Sequence, residues 1–324
     1  MSPRMRLVPV ALALLAAATA PVGAQDGAGG ASAIVLQLAP APRPLALGGA
    51  YAALARDPYA LFYNPGRLAG APRAVAAAYH VYPVGVAAGS IAATLPTGRL
   101  ALGVGVHYLD LGEVEVLEPD PAYGGQRGQP TGETTEGGEA LAVVGAGLEL
   151  GPAVRVGAAA KALHLGLAGA SDQGFAVDLG AAAGLLRGRL QLGVAVQNVG
   201  RAAGVGRGSP LPRTVRAALA ADLADLGGVR TTVAVEGVHV EERSALAAGL
   251  EAVYRNGAGI GLLARAGFDG RAASGDAASP LTVGAGIAFG RFGLDYAYRG
   301  AGPLGATHHF GFSVHLDGGA GPVR

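Results

Sequence analysis

From Ala74 to Leu316 the chain alternates with a period of two. Phe292, Leu294, Tyr296 and Tyr298 fall on one face, with Arg291, Gly293, Asp295 and Arg299 on the other. Leu190, Leu192, Val194 and Val196 oppose Gln191, Gly193, Ala195 and Gln197 in the same way. Phe310, Phe312, Val314 and Leu316 oppose His309, Gly311, Ser313 and His315. Successive side chains of a strand point to opposite faces, so such segments build a sheet with one greasy and one wet face. Alternation alone does not say which face points inward.

Turn lengths do. The pattern predicts strands at about 74–82, 86–95, 99–110, 138–150, 153–165, 174–186, 189–199, 211–223, 229–239, 244–254, 258–268, 280–289, 291–299 and 307–316. The even-numbered strands end in tight turns: Pro96-Thr97-Gly98, Gly151-Pro152, Arg187-Gly188, Asp225 to Gly228, Asn256-Gly257 and Gly290. Asn-Gly is a strong hairpin signal, because a type I′ turn needs positive φ at both central residues. Most odd-numbered strands end in longer connections: Leu111 to Gly137, Gly166 to Gln173, Gly200 to Pro210, Asp269 to Ser279 and Gly300 to Gly305. Pro83 to Gly85 and Glu241 to Arg243 are short exceptions.

Short turns on one rim, long loops on the other and an even strand count are the plan of a membrane-spanning barrel. A β-sandwich has no reason to sort its loops by parity. The strands also reach the ~9–11 residues that a tilted spanning strand needs. The expected fold is therefore all-β: a transmembrane antiparallel β-barrel of about 14 strands with a short N-terminal helical plug. Thr307 to Leu316 should pair with Ala74 to Tyr82, because an open edge in hydrocarbon leaves backbone groups unpaired. Leu111 to Gly137 should be the largest surface loop, with the Asn256-Gly257 turn on the periplasmic side.

The beginning of the chain sets the compartment. Arg4 and Arg6 precede an apolar run, Leu7 to Ala20, and Val22-Gly23-Ala24 offers small residues around a cleavage point, as in a signal peptide. Pro9 and Pro21 bracket a run shorter than the ~20 residues that a helical span requires. The expected organisation is a signal peptide at 1–24, a lead-in and plug at 25–72, the barrel at 73–318 and a tail at 319–324, in the outer membrane of a Gram-negative-type bacterium. Only 15% of residues are charged and 51% are hydrophobic, which argues against both disorder and an ordinary soluble surface. A net charge of +1 gives no reason to invoke nucleic acid. The absence of Cys removes thiolate catalysis.

One stretch of the mature chain does not read as strand: Leu45 to Leu68, LALGGAYAALARDPYALFYNPGRL. Leu47, Tyr51 and Leu54 recur at i, i+4 and i+7 and predict one face of a short helix. Asp57-Pro58 is a cap and first-turn pair for a second helix, Tyr59 to Tyr63. That helix should stop at Asn64-Pro65, because the residue before proline leaves helical dihedrals. A barrel of about fourteen strands is wider than its own side chains fill, so these helices are the expected filler. Inward positions carry Arg155, Lys161, Asp178, Gln191, Gln197, Arg216, Glu251, Arg265, Asp295, Arg299, His309 and His315, spaced by Gly and Ala. Both signs are present, which predicts pairing across the lumen rather than a single-sign ion filter.

Within that stretch Gly48-Gly49-Ala50, Ala55, Asp57, Ala60, Asn64-Pro65 and Leu68 resemble the N-terminal signature of PorV/PorQ-like outer-membrane proteins. These are relatives of the FadL-like long-chain fatty-acid transporters. That family usually reads Asn-Pro-Ala-Gly-Leu, where this chain has Asn64-Pro65-Gly66-Arg67-Leu68, so Arg67 has a side chain to place. The resemblance to FadL-like proteins implies passive transport of a hydrophobic small molecule. That to PorV implies docking of exported cargo in type IX secretion. The implied partners are outer-membrane lipid and either a hydrophobic ligand or secretion-system proteins. Gly48-Gly49 as hinge and Asn64-Pro65 as stop, with Tyr63 helping Asn64 and Pro65 to hold the plug shut and Asp57 beside them, are the candidate gating residues.

Enzyme readings fail on spacing. His309 and Ser313 lie four apart on one strand face, too far for direct contact. Glu236 and His239 lack further metal ligands. Gly103-Val104-Gly105 and Gly284-Ala285-Gly286 are strand glycines with no following helix to present its N-terminus to a phosphate. No catalytic activity, cofactor or metal is expected.

Overall fold

Fourteen strands form a closed barrel in the computed structural model, which describes residues 33–317 except 125, 204–209, 224, 226, 258 and 275–277. The expected signal peptide and C-terminal tail lie outside the described residues. The strands are β1 Ala74–Val81, β2 Ala87–Thr97, β3 Leu100–Pro119, β4 Gly128–Glu149, β5 Val154–Leu167, β6 Ala170–Leu185, β7 Leu190–Ala203, β8 Thr214–Asp222, β9 Val229–Val240, β10 Arg243–Arg255, β11 Ile260–Asp269, β12 Leu281–Phe289, β13 Phe292–Gly300 and β14 Ala306–His315. Each pairs antiparallel with its neighbours in sequence, and β1 closes on β14 from Ala74↔His315 to Val81↔His308. Closure leaves no strand edge facing lipid, as hydrocarbon demands. No helix among the described residues is long and apolar enough to cross a membrane. The strands do the crossing.

Four local expectations need correction. The stretch 111–137 is not a loop but the outer part of a β3–β4 ribbon, paired as far as Pro119↔Gly128 with register shifts after Asp110 and Glu115. Its GEVEVLEP run already alternates, and abundant Gly, Thr and Glu masked a strand whose two faces both meet water. The β5–β6 connection is a two-residue turn, with Ala168 at φ 51° and Gly169 at φ 77°, and not a loop over 166–173. At Asn256 the turn is wider than a two-residue hairpin: Asn256 N–H donates to the Ile260 carbonyl at 3.0 Å, and Asn256 Oδ1 accepts from Ile260 N–H at 2.9 Å. Finally, Leu47, Tyr51 and Leu54 do not share a helix. The first helix is α1, Pro42–Ala46, ahead of all three. Gly48 and Gly49, at φ 64° and 88°, break the chain immediately after it.

The second predicted helix is present as α2, Ala60–Tyr63. Asp57 Oδ1 accepts from Tyr59 N–H at 3.0 Å at its start, and Asn64 leaves the helix in an extended conformation.

The greasy face points out. Val75, Ile91, Val104, Val144, Leu179, Val235, Leu262, Ile287, Leu294 and Phe310 are all exposed around the wall. Exposed Tyr254, Phe289 and Phe292 stand toward the short-turn end, with Tyr79, Tyr108 and Phe268 toward the other. An apolar band between aromatic levels is the surface a bilayer requires. The buried core is therefore the space between plug and wall. Leu47, Tyr51, Leu54, Leu61, Phe62 and Leu68 of the plug pack with inward Ala76, Ala92, Ala101, Ala159, Ala218 and Ala234.

Candidate functional site

The segment 33–71 fills the lumen, and two kinds of contact hold it. Along β3–β7 the contact is one of shape. Leu61 and Leu68 press on Gly103, and Leu61 also on Gly145. A Cβ at Gly157 would collide with the Pro65 carbonyl, one at Gly180 with Asn64, and one at Gly193 with the Ala52 carbonyl. The inward glycines leave the plug backbone room to lie against the strand backbone. Asn64 exploits that closeness. Its Nδ2 donates to the Ala52 and Ala181 carbonyls, both at 3.0 Å, and its Oδ1 accepts from Gly66 N–H at 3.1 Å. The side chain is fully buried, so each of these bonds satisfies a group that water cannot reach.

Along β8–β13 the contact is charged. Arg43 of α1 makes a two-pronged pair with Glu251, Nε to Oε2 at 2.9 Å and Nη2 to Oε1 at 2.8 Å. Glu251 is shared with Arg265 at 2.6 Å, and Arg265 also binds Asp295. Arg43 Nη1 reaches Asp57 at 3.3 Å, and the Tyr51 hydroxyl donates to the same carboxylate. Burial by itself would strip charge from Arg43, but Glu251, Tyr51 and Asp57 outweigh it and hold its pKa well above the ordinary value. Burial, then Asp57, raises the Tyr51 pKa, so the phenol keeps its proton and serves as donor. Beside this cluster Glu236 Oε2 accepts from the backbone N–H groups of Tyr51 and Ala52, both at 2.8 Å. Its Oε1 takes Arg216 Nη1 at 2.6 Å. Arg216 continues to Gln197, whose amide donates to the Phe62 carbonyl at 2.7 Å, and it lies over the Tyr63 ring at 4.9 Å.

The sequence-predicted residues therefore do not form one site. Glu251, Arg265 and Asp295 come together, and so do Arg216, Gln197 and Tyr63. Lys161 pairs with Asp178 at 2.7 Å, and Gln197 links that pair to Arg216 by donating to Asp178 Oδ2 at 3.4 Å. Arg299 joins Asp269 and Arg271 below the β11–β12 connection. Arg155 stands at the short-turn mouth with Glu149 at 3.0 Å. His309 faces no charge of its own: its Nδ1 lies 2.6 Å from His80 Nδ1 across the β1–β14 seam. His315 borders a cavity of about 50 Å³ between α1, Asp57 and the β12–β14 wall. Gly48 and Gly49 are buried, with positive φ, against the Phe268 backbone and the Arg271 side chain. Pro65 opens the 3₁₀ turn Pro65–Arg67.

Arg43, Tyr51, Glu236 and Arg271 were missed. Glu236 shares the inward face of β9 with Thr232, Ala234 and Val238, so strand parity alone could have found it. Arg43 carried no signal, because Gly-, Ala- and Pro-rich surroundings gave its segment no periodicity.

Toward the long-loop rim the β3–β5 side of the lumen carries an apolar patch, facing the Asp269, Arg271 and Arg299 cluster on the other side. Leu109, Leu141 and Leu163 point inward and are buried, with Leu111 and Leu165 above them. The strap Val35–Leu38 packs on this patch, and Val35 N–H donates to Glu139 Oε2 at 2.6 Å. A cavity of about 20 Å³ lies between the strap, Phe62, His107 and Leu141 on one side and Lys161, Gln197, Arg216 and Arg271 on the other. Both cavities are far below the ~150 Å³ that takes up a benzene ring. Among the described residues no three His, Asp or Glu side chains converge so as to hold a metal.

These features define a class: a transmembrane β-barrel with its lumen filled by its own N-terminal segment. Three solved structures share the fold. The Ralstonia pickettii toluene transporter TbuX aligns at 14% identity over 85% of this chain and 98% of its own, with a TM-score of 0.56. The CymD monoaromatic hydrocarbon channel aligns at 13% identity over 85% and 96%, with a TM-score of 0.51. The Pseudomonas putida toluene transporter TodX aligns at 10% identity over 79% and 91%, with a TM-score of 0.51. At such identities the likeness is one of fold. No protein-family model and no curated protein sequence matches the chain.

Proposed function

We propose that this protein is a FadL-like outer-membrane channel for passive passage of a hydrophobic small molecule. The observation that carries the reading is the inward apolar patch of Leu109, Leu141 and Leu163 under the Val35–Leu38 strap. A porin lumen is wet and polar. A greasy lining that meets a closed plug instead suits a ligand that sheds water before it crosses. The shared fold with transporters and channels of toluene and monoaromatic hydrocarbons agrees with this substrate class. In this reading residues 1–24 are a removed signal peptide, 25–72 the strap and plug, 73–318 the barrel and 319–324 a tail.

Because the cavities beside the plug admit water and nothing larger, passage requires the strap or plug to move. Asn64, with Tyr63 and Pro65 beside it, is the fastening on the shape side. Arg43, Asp57 and Glu251 are the fastening on the charged side. The type IX secretion reading, drawn from the PorV-like signature, has no observation in its favour. The test is accumulation of a labelled long-chain or aromatic hydrophobe in cells with the barrel, without it, and with Leu141→Asn or Asn64→Ala. Uptake should require the barrel and fall in Leu141→Asn. Equal uptake with and without the barrel rules out transport of that compound.

A further inference from the structure

Arg67 stands where the PorV/PorQ-like signature has glycine, and its side chain is among the most deeply buried of the molecule, 2% exposed. A buried guanidinium normally meets a carboxylate. Here its partners are neutral: Nε donates to the Ala55 carbonyl at 3.0 Å and Nη1 to Gln191 Oε1 at 2.9 Å. The charges around it have the wrong sign. Arg56, exposed on the underside of the plug, follows directly on the residue whose carbonyl Arg67 holds. The Arg155 guanidinium lies over Gly70, 3.2 Å from where a Cβ would stand, on the turn that continues from Arg67. Arg230 is within electrostatic reach of Arg56. Among the described residues the carboxylates at this rim are Glu149, paired with Arg155 at 3.0 Å, and Asp317, paired with Arg73 at 3.7 Å, together with Asp225 and Asp222. Asp225 accepts from Gly228 N–H at 3.0 Å, and Asp222 attracts Arg56 and accepts from Thr232 at 2.8 Å; none of the four is paired with Arg67. Burial, then Arg56 and Arg155, push the Arg67 pKa down to about 9, which still leaves a cation at neutral pH. Inside the lumen Arg43, Arg216, Arg265 and Arg299 each meet a carboxylate. At the short-turn mouth cations outnumber carboxylates, and one of them is buried without a counter-charge.

We propose that Arg56, Arg67 and Arg155 form a binding site for an oxyanion group, a carboxylate or phosphate presented at the short-turn mouth of the lumen. Guanidinium forks suit such groups because their N–H pairs match two oxygens at once. The site is independent of the transport reading, since it lies at the opposite end of the plug from the apolar patch and its test measures binding rather than uptake.

The experiment follows the heat-modifiable gel transition of the purified barrel in uncharged detergent, with inorganic phosphate replacing chloride at constant ionic strength. A parallel arm uses chloride alone, in nanodiscs with or without phosphatidylglycerol. Phosphate should raise the transition saturably, by roughly 5 °C once it exceeds its dissociation constant a hundredfold. The rise should vanish in Arg67→Gln and in Arg56→Gln/Arg155→Gln, while Arg127→Gln at the far rim keeps it. Should Arg67→Gln not assemble, the double variant decides, because it leaves the buried side chain in place. A rise with soluble phosphate identifies a free anion as ligand. A rise confined to phosphatidylglycerol nanodiscs, and lost in the double variant, identifies a lipid headgroup. Phosphate and chloride acting alike with no lipid effect, or a rise that survives the double variant, overturns the proposal.

Discussion

The two walls that hold the plug work by different physics. Along β3–β7 the wall is glycine and alanine, and the plug backbone lies almost on the strand backbone. Along β8–β13 the wall carries Arg216, Glu236, Glu251, Arg265 and Asp295, and the plug is tied by charge-assisted bonds. Neither wall tolerates added volume, since a Cβ at Gly267 of β11 would collide with the Gly48 backbone as one at Gly157 would with the Pro65 carbonyl, but the second wall is tied by charge as well. A plug held by shape on one side and by ions on the other can be released by breaking either, and the two releases should look different.

The largest effect should come from filling the shape wall. Gly193→Leu would place a side chain where the Ala52 carbonyl sits, and Gly157→Leu one where the Pro65 carbonyl sits. Overpacking a close-packed interior costs ~1–3 kcal/mol even where side chains can shift, and backbone on both sides makes this an extreme case. The plug should leave its seat and become cleavable by protease in the intact barrel. Gly237→Leu, where an added Cβ meets nothing closer than the Ala217 carbonyl at 3.9 Å, should leave protease resistance unchanged. Equal behaviour of the three variants would mean that the glycines do not seat the plug.

Next comes the charged wall. Glu251→Ala leaves Arg43 with Asp57 alone and Arg265 with Asp295 alone, so its cost should approach the ~3–5 kcal/mol of breaking a buried pair. Its gel transition should fall well below wild type. Arg43→Met added to Glu251→Ala should recover part of the loss, since it removes the buried charge that lost its two-pronged partner. A double variant weaker than the sum of the singles would contradict the pairing. Asn64→Ala should cost less, about 1–3 kcal/mol, because it removes the donor to the Ala52 and Ala181 carbonyls and the acceptor for Gly66 N–H in a fully buried place. The smallest effect belongs to the strap. Glu139→Ala removes one bond to Val35 N–H, worth about 0.5–1.5 kcal/mol, and should speed hydrophobe uptake while barely moving the gel transition.

The barrel was legible because strand parity and turn length are local signals, and both ends of each strand carried them. The β1–β14 seam followed from the absence of water in hydrocarbon. The 111–137 ribbon was missed although GEVEVLEP alternates, because its Gly-, Thr- and Glu-rich partner strand is wet on both faces and carries no apolar alternation of its own. The plug was legible as an exception to the pattern, and Asn64-Pro65 stopped its helix as expected. The Leu47, Tyr51 and Leu54 spacing misled, because in the lumen every side of the chain is buried. Apolar residues there need no helical face, and Gly48 and Gly49 turn the chain where a helix would continue. The inward polar residues came from parity. Their grouping into separate clusters did not, since that depends on where Arg43 and the Tyr51-Ala52 backbone sit.

The central claim is that the two walls together keep the lumen closed to water and ions. It is tested most directly by conductance of the purified barrel in planar lipid bilayers. Wild type should show no steady ion current, and Glu236→Ala/Glu251→Ala, which cuts the charged wall at both its contacts with the plug, should open discrete conducting events. A steady open-pore current from wild type, equal to that of the double variant, would contradict it.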